Sequence, residues 1–122
     1  MNMTIPEPTT LTLANLTCYD LHESIRDAKR DVMGDYSGGW QIVAIDKDGE
    51  RVNGEPVAYQ EGNNLPSLKR IRGLAEDYSG QAVEIIIEGM GYVLADWGNA
   101  AEQRENAEPT GDWWQVIISL DN

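Results

Sequence analysis

Leu16-Thr-Cys-Tyr-Asp-Leu-His-Glu-Ser-Ile-Arg-Asp-Ala-Lys-Arg-Asp-Val-Met-Gly34 is the stretch whose reading decides the fold. Thr17 is a helix N-cap type, and Asp20 three residues later completes a variant of the capping box. Leu16 and Leu21 then fall at the two positions of a hydrophobic staple. Cys18, Leu21, Ile25, Ala28 and Val32 recur at spacings of three and four and make one apolar stripe. Gly34 supplies the left-handed residue with which helices often end. A helix over about 18–33 follows, apolar on one side, so another layer must cover it.

Outward from this helix the pattern changes to strands. Trp40 to Ile45 reads as a strand, Asp46 to Gly49 as a turn, and Glu50 to Tyr59 as an irregular return strand with Pro56 at an edge or bulge. Glu61 to Asn64 is a loop. A second helix is predicted over about 65–78, with Leu65, Leu68, Ile71, Leu74, Ala75 and Tyr78 inward. Val83, Ile85 and Ile87 alternate with Glu84 and Glu88 as a strand, with Ile86 breaking the alternation on the outward face. Gly89-Met-Gly91 then reads as a turn into Tyr92 to Trp97. Asn99 to Ala107 is a short helix capped by Asn99 and ended by Pro109, Thr110 and Gly111, and Trp113 to Leu120 is a last strand. On the N-terminal side, Leu11 and Leu13 alternate with threonines in a short strand, and residues 1–9 read as a loose arm.

The expectation is one acidic α+β domain over residues 1–122. Its antiparallel sheet would carry two helices on one face, in a ferredoxin-like β-α-β-β-α-β core, with a C-terminal hairpin bearing a short helical insert. Asp35-Tyr-Ser-Gly38 recurs as Asp77-Tyr-Ser-Gly80, each copy between a helix and a strand. The two connections are therefore expected to be built alike, with glycine supplying a positive φ.

Charge is the strongest compositional signal. Twenty-one acids against nine bases give a net charge of −12 in 122 residues. Residues 81–122 hold eight of the acids and one base, Arg104. Such a chain repels phosphate backbones and anionic membranes and attracts basic partners, unless the acidity only maintains solubility. The sequence lacks the run of about 18 apolar residues needed to span a bilayer. The N-terminal segment carries no signal-peptide pattern, and the single cysteine excludes an internal disulfide framework, so a cytoplasmic protein is expected.

Motifs of catalysis are sparse, and the expectation is a protein without enzymatic activity, cofactor or metal. Cys18 and His22 stand four apart on the first helix, the spacing of a nucleophile pair, but Cys18 opens the apolar stripe and reads as a small core residue. Asp46-Lys-Asp-Gly-Glu50 begins like a calcium loop but has Arg51 at the glycine position and Val57 at the bidentate position. No phosphate-binding loop, nucleophile elbow or zinc-protease motif occurs. Lys69, Arg70 and Arg72 read as the polar face of the second helix.

Binding is better represented. Glu102, Glu105 and Glu108 recur at spacing three, flanked by Asp96 and Asp112. Carboxylates on a rigid element can take the place of phosphates in an Arg/Lys groove. Trp113 and Trp114 must point to opposite sides of their strand. Trp114 joins Val116, Ile118 and Leu120 in the core, and Trp113 shares the other face with Gln115 and Ser119 as an apolar anchor. The expected partner is a basic protein such as a nuclease or a nucleic-acid-binding complex, blocked by nucleic-acid mimicry of the anti-restriction, anti-CRISPR or nuclease-immunity type. The partner-binding residues are then Asp96, Glu102, Glu105, Glu108, Asp112 and Trp113. Two other functions fit the same sequence: a non-catalytic accessory or oligomerisation domain, and a small carboxylate-dependent hydrolase.

Overall fold

In the computed structural model, which describes residues 9–60 and 64–120, the first helix forms as read. Helix α1 spans Cys18–Val32, and the Thr17 hydroxyl accepts from the Asp20 amide at 3.1 Å. Leu21 and Ile25 are fully buried, Leu16 is 4% exposed, and Ala28 and Val32 pack against the core. Each of the two buried side chains stabilises the fold by roughly 1.5–3 kcal/mol. Gly34 ends the helix at φ 62°. Cys18 does not join the stripe: it is exposed at the start of the helix. Helix α2 is Leu68–Asp77, shorter at its start than 65–78, because Ser67 caps it by accepting from the Arg70 amide. Ile71 and Ala75 are its buried positions.

Among the described residues six strands form one sheet: β1 (Thr9–Thr12), β2 (Tyr36–Ser37), β3 (Trp40–Ile45), β4 (Ala58–Gln60), β5 (Glu84–Val93) and β6 (Glu108–Ser119). Their order is β1-β6-β5-β3-β4, with β2 alongside β5 beyond the end of β3. A 3₁₀ turn at Leu13–Asn15 follows β1, and α3 (Ala100–Glu105) lies inside the β5–β6 hairpin. No helix among the described residues is long and apolar enough to cross a membrane.

The α+β class and the helical insert in the C-terminal hairpin agree with the sequence. Both α1 and α2 pack into one cluster with Ile42, Ile85, Ile87, Val116 and Ile118, and so share one face of the sheet. The ferredoxin-like order does not agree. That order puts the first strand at the centre and the strand after the second helix at an edge. Here β1 is an edge strand and β5 is central. The sheet is also mixed, because β1 pairs with β6 in parallel. The reason is apolar burial. Ile85, Ile86 and Ile87 give β5 apolar side chains on both faces, which suits a central strand. The four-residue, threonine-rich β1 suits an edge.

Three local expectations also fail. Gly89-Met-Gly91 is no turn: β5 continues through it to Val93. The return strand is only Ala58–Gln60, preceded by a single bridge between Ile45 and Arg51 and an irregular segment containing Pro56. The two Asp-Tyr-Ser-Gly connections are built differently. In the first, Tyr36 and Ser37 form β2, and the positive φ belongs to Gly34. In the second, Tyr78 caps α2 and Gly80 has φ 85°. The expected N-terminal arm and the 61–64 loop lie largely outside the described residues, while Thr9 belongs to β1.

Two glycines of β5 leave room on its core side, one for the end of α1 and one for a side chain of β6. A Cβ on Gly91 would fall on the Val32 carbonyl oxygen at the end of α1. A Cβ on Gly89 would come within 2.6 Å of the Trp114 indole. Backbone bonds fix the contact: Tyr92 N donates to Met33 O at 3.1 Å, and Asp35 N donates to Tyr92 O at 2.9 Å. Gly91→Ala and Gly89→Ala are each expected to cost more than about 2 kcal/mol in urea unfolding. Gly73→Ala, with nothing within 4 Å of the new methyl, is expected to stabilise by about 0.5–1 kcal/mol, the helix-propensity gain alone. Equal effects at the three positions would contradict the packing described.

Candidate partner-binding site

Alternation along β5 separates structure from surface. Gly89 and Gly91 face the helices, so Glu88 and Met90 face the helix-free side. Cross-strand pairing then assembles rows on that side. Gln41, Glu88 and Gln115 are opposite one another on β3, β5 and β6, as are Val43, Ile86 and Ile117. Met90 stands opposite Trp113.

Glu88 is the one buried charged residue among the described residues, 7% exposed. Oε1 accepts from Gln41 Nε2 at 2.7 Å and from Arg51 at 3.3 Å, and Oε2 accepts from Gln115 Nε2 at 3.0 Å. A buried carboxylate is tolerated only with such partners. Here the two glutamines and the arginine hold it at a fixed place, one row from the apolar Val43, Ile86 and Ile117. Above it opens a cavity of about 540 Å³, lined by Glu55, Pro56, Tyr59, Met90, Tyr92 and Trp113 among others. Trp113 is 45% exposed and Tyr59 73%. Tyr92 is held from behind, its ring stacked on Tyr36 at 5.4 Å between centroids.

Trp114 enters the core at 2% exposure and Trp113 faces out, as the alternation required. The Trp114 Nε1–H has no acceptor among the described residues. The indole lies flush against bare Gly89, and the unmade bond is a local cost of roughly 1–3 kcal/mol.

The acidic residues are less unified than their spacing suggests. Helix α3 is only six residues, Ala100–Glu105, not 99–107, and it buries none of them. Glu108 is therefore not on the helix but begins β6, and Pro109, Thr110 and Gly111 are strand residues. This part of β6 lies beyond the segment that pairs with β1, which is where a strand accepts proline. A register shift opposite Gly91, with Gly111 at φ 85°, puts Asp112 within a bulge of β6 and Trp113 directly after it. Glu102 is engaged by its own cap: Asn99 Nδ2 donates to its carboxylate at 2.9 Å, and its amide donates to Asn99 Oδ1 at 3.0 Å. Asp96, Glu105, Glu108 and Asp112 are exposed. All six expected residues lie on the β5–β6 hairpin. Its connecting segment is fastened to the sheet, where Leu94 N donates to Asp35 at 2.8 Å and Tyr36 OH donates to Arg104 O at 3.3 Å. Of the six, Trp113 alone lines the cavity.

Glu55, Glu88, Tyr59 and Met90 were not singled out in the sequence. Cross-strand register brings Glu88 to Gln41 and Gln115, and only the departure of Ile86 from alternation signalled a helix-free face with apolar content.

Elsewhere, chemistry-bearing residues have structural work. Arg70 lies over the Trp40 ring at 5.7 Å, and Arg72 donates to Leu16 O at 3.4 Å. Asp46 accepts from the Asp48 and Glu50 amides, making a turn of the calcium-like stretch. No group of three or more His, Cys, Asp or Glu placed to hold a metal occurs among the described residues. His22 bonds the Pro66 carbonyl at 3.2 Å through Nε2 and stands 3.9 Å from Cys18 through Nδ1. Two groups on α1 have shifted pKa values: a hydrogen bond with Glu23 raises the Tyr19 phenol, and burial lowers the Lys29 ammonium.

Compared with known proteins, the chain matches no family model, no curated protein and no solved structure.

Removing Glu88 should therefore cost structure. Glu88→Ala, which leaves the Gln41 and Gln115 amides without their acceptor while Arg51 turns to solvent, is expected to lower stability by roughly 1–3 kcal/mol. Glu88→Gln is expected to lose less, because the neighbouring glutamine amides can flip to match it. Chemical denaturation distinguishes the two. A neutral Glu88→Ala would mean the carboxylate organises nothing.

Proposed function

We propose that this domain is an acidic binding protein for a basic partner, engaged through the helix-free side of the sheet and the adjoining β5–β6 hairpin. The observation that carries this reading is Trp113: a half-exposed tryptophan beside Met90, lining one cavity with Tyr59, on a chain of net charge −12. Aromatic anchors within charged rims are the usual centres of binding energy. The exposed carboxylates Asp96, Glu105, Glu108 and Asp112 of the same hairpin supply the charge, with Glu102 committed to its cap.

The finer proposal is that the partner handles nucleic acid, and that carboxylates here compete with phosphate for its Arg/Lys groove. Such binding weakens steeply with salt. The competing reading is self-association over the partly exposed Ile86 and Ile117. Like charge on two copies opposes it.

Capture by the tagged protein from host lysate tests the proposal. A basic nucleic-acid-handling protein should be retained at low salt, released at high salt, and displaced by duplex DNA. Trp113→Ala should weaken its binding by about 2 kcal/mol, and Glu105→Lys with Glu108→Lys should lower it further. Retention that ignores salt and DNA would overturn the mimicry reading. A sedimenting dimer at low concentration would favour self-association.

A further inference from the structure

We propose that the cavity beside Trp113 is an arginine pocket, which takes a guanidinium side chain of the partner. The inference rests on the reading that the partner is basic, and it names the chemical group recognised and the residues that do so.

The first reason is the combination of walls and floor. Trp113, Tyr59 and Tyr92 line a cavity of about 540 Å³ that also includes the Glu88 and Glu55 carboxylates. Aromatic faces attract cations and stack with planar ones, and a carboxylate accepts the donor fork of a guanidinium. A lysine ammonium, compact and strongly hydrated, uses the aromatic planes less well.

The second reason is hydrogen-bonding capacity. An ionised carboxylate has about four acceptor positions. Gln41 and Arg51 occupy Oε1 of Glu88, and Gln115 occupies Oε2. By this count one position on Oε2 is unfilled, and Glu88 is a lining residue of the cavity. Glu55 is exposed and bears no hydrogen-bond duty comparable to that of Glu88. A guanidinium entering the cavity can therefore be met by Glu55 and by the remaining Glu88 acceptor while it lies against Trp113 or Tyr59.

The third reason is preorganisation. Tyr92 is stacked on Tyr36, and its ring closes over Gly38, where a Cβ would come within 2.7 Å of it. Glu88 is fixed from three sides. Little order remains to be imposed on these groups when a ligand binds. The same molecule already uses both contacts internally: Arg51 on Glu88 and Arg70 over Trp40. An apolar occupant would bury Glu55 without a partner, and a second copy of the chain would bring another net charge of −12.

The test uses the full-length ¹⁵N-labelled protein and a short amidated peptide containing two arginines between glycines. Its control is the same peptide with citrulline, which keeps the shape and loses the charge. The arginine peptide should bind in the roughly millimolar range expected of a single side chain. It should shift the Trp113 indole N–H and the Gln41 and Gln115 side-chain amides, with the citrulline peptide leaving them in place. Trp113→Ala, and separately Glu55→Gln, should weaken the response, Trp113→Ala by about tenfold. Equal response to citrulline, shifts confined to α3, or no shift at all would each overturn the pocket. None of these three outcomes touches the basic-partner reading, which stands or falls on salt-sensitive capture of a basic protein. Shifts at the cavity together with failed capture would leave the pocket and remove the proposed function.

Discussion

The structure depends on one close approach, where the end of α1 rests directly on β5 at Gly91. A side chain there would occupy the position of the Val32 carbonyl oxygen. Because it is absent, the helix terminus and the strand exchange backbone hydrogen bonds through Met33, Asp35 and Tyr92. The same two-residue rhythm leaves Gly89 bare beneath Trp114. Strand β5 thus spends its helix-facing positions on contact with the core and presents Glu88 and Met90 on the other side. The helix-free face is a consequence of how the helices are seated, and the cavity beside Trp113 is part of that face.

That helix-free face differs from an ordinary solvated sheet surface. Val43 and Ile45 are buried, although they point away from both helices. Arg51, bridged to Ile45, reaches back to Glu88. The face therefore has an apolar strip, a fixed buried carboxylate and half-exposed aromatic rings within a strongly acidic molecule. Each feature has a structural explanation taken singly. Together they describe a surface suited to an aromatic-and-charge contact with a basic protein.

Much of the local structure was legible in the sequence because it rests on local chemistry. The Thr17 and Asn99 caps, the α1 stripe, the Asp46 turn and the opposed tryptophans all depend on residues a few positions apart. The strand order was not legible, because it depends on which strands carry apolar side chains on both faces. Three consecutive isoleucines at 85–87 carried that information and read instead as a break in alternation. The Gly-Met-Gly stretch misled for a related reason: glycine marks close approach of another chain segment as well as turns. For the site, Trp113 followed from alternation alone, while Glu88 depended on register with Gln41 and Gln115, which are 47 and 27 residues distant. The regular spacing of Glu102, Glu105 and Glu108 did not translate into one helical face, because Asn106 caps α3 before Glu108 is reached.

The division of the sheet into a packed face and an acid-lined open face is tested most directly by paramagnetic relaxation of the four tryptophan indole N–H signals in the unmodified protein, with cationic and anionic agents compared. The account predicts that Trp114 and Trp40 are insensitive to both. Trp113 should be broadened, and more strongly by the cationic agent than by the anionic one. A protected Trp113, or one broadened more by the anionic agent, would contradict it.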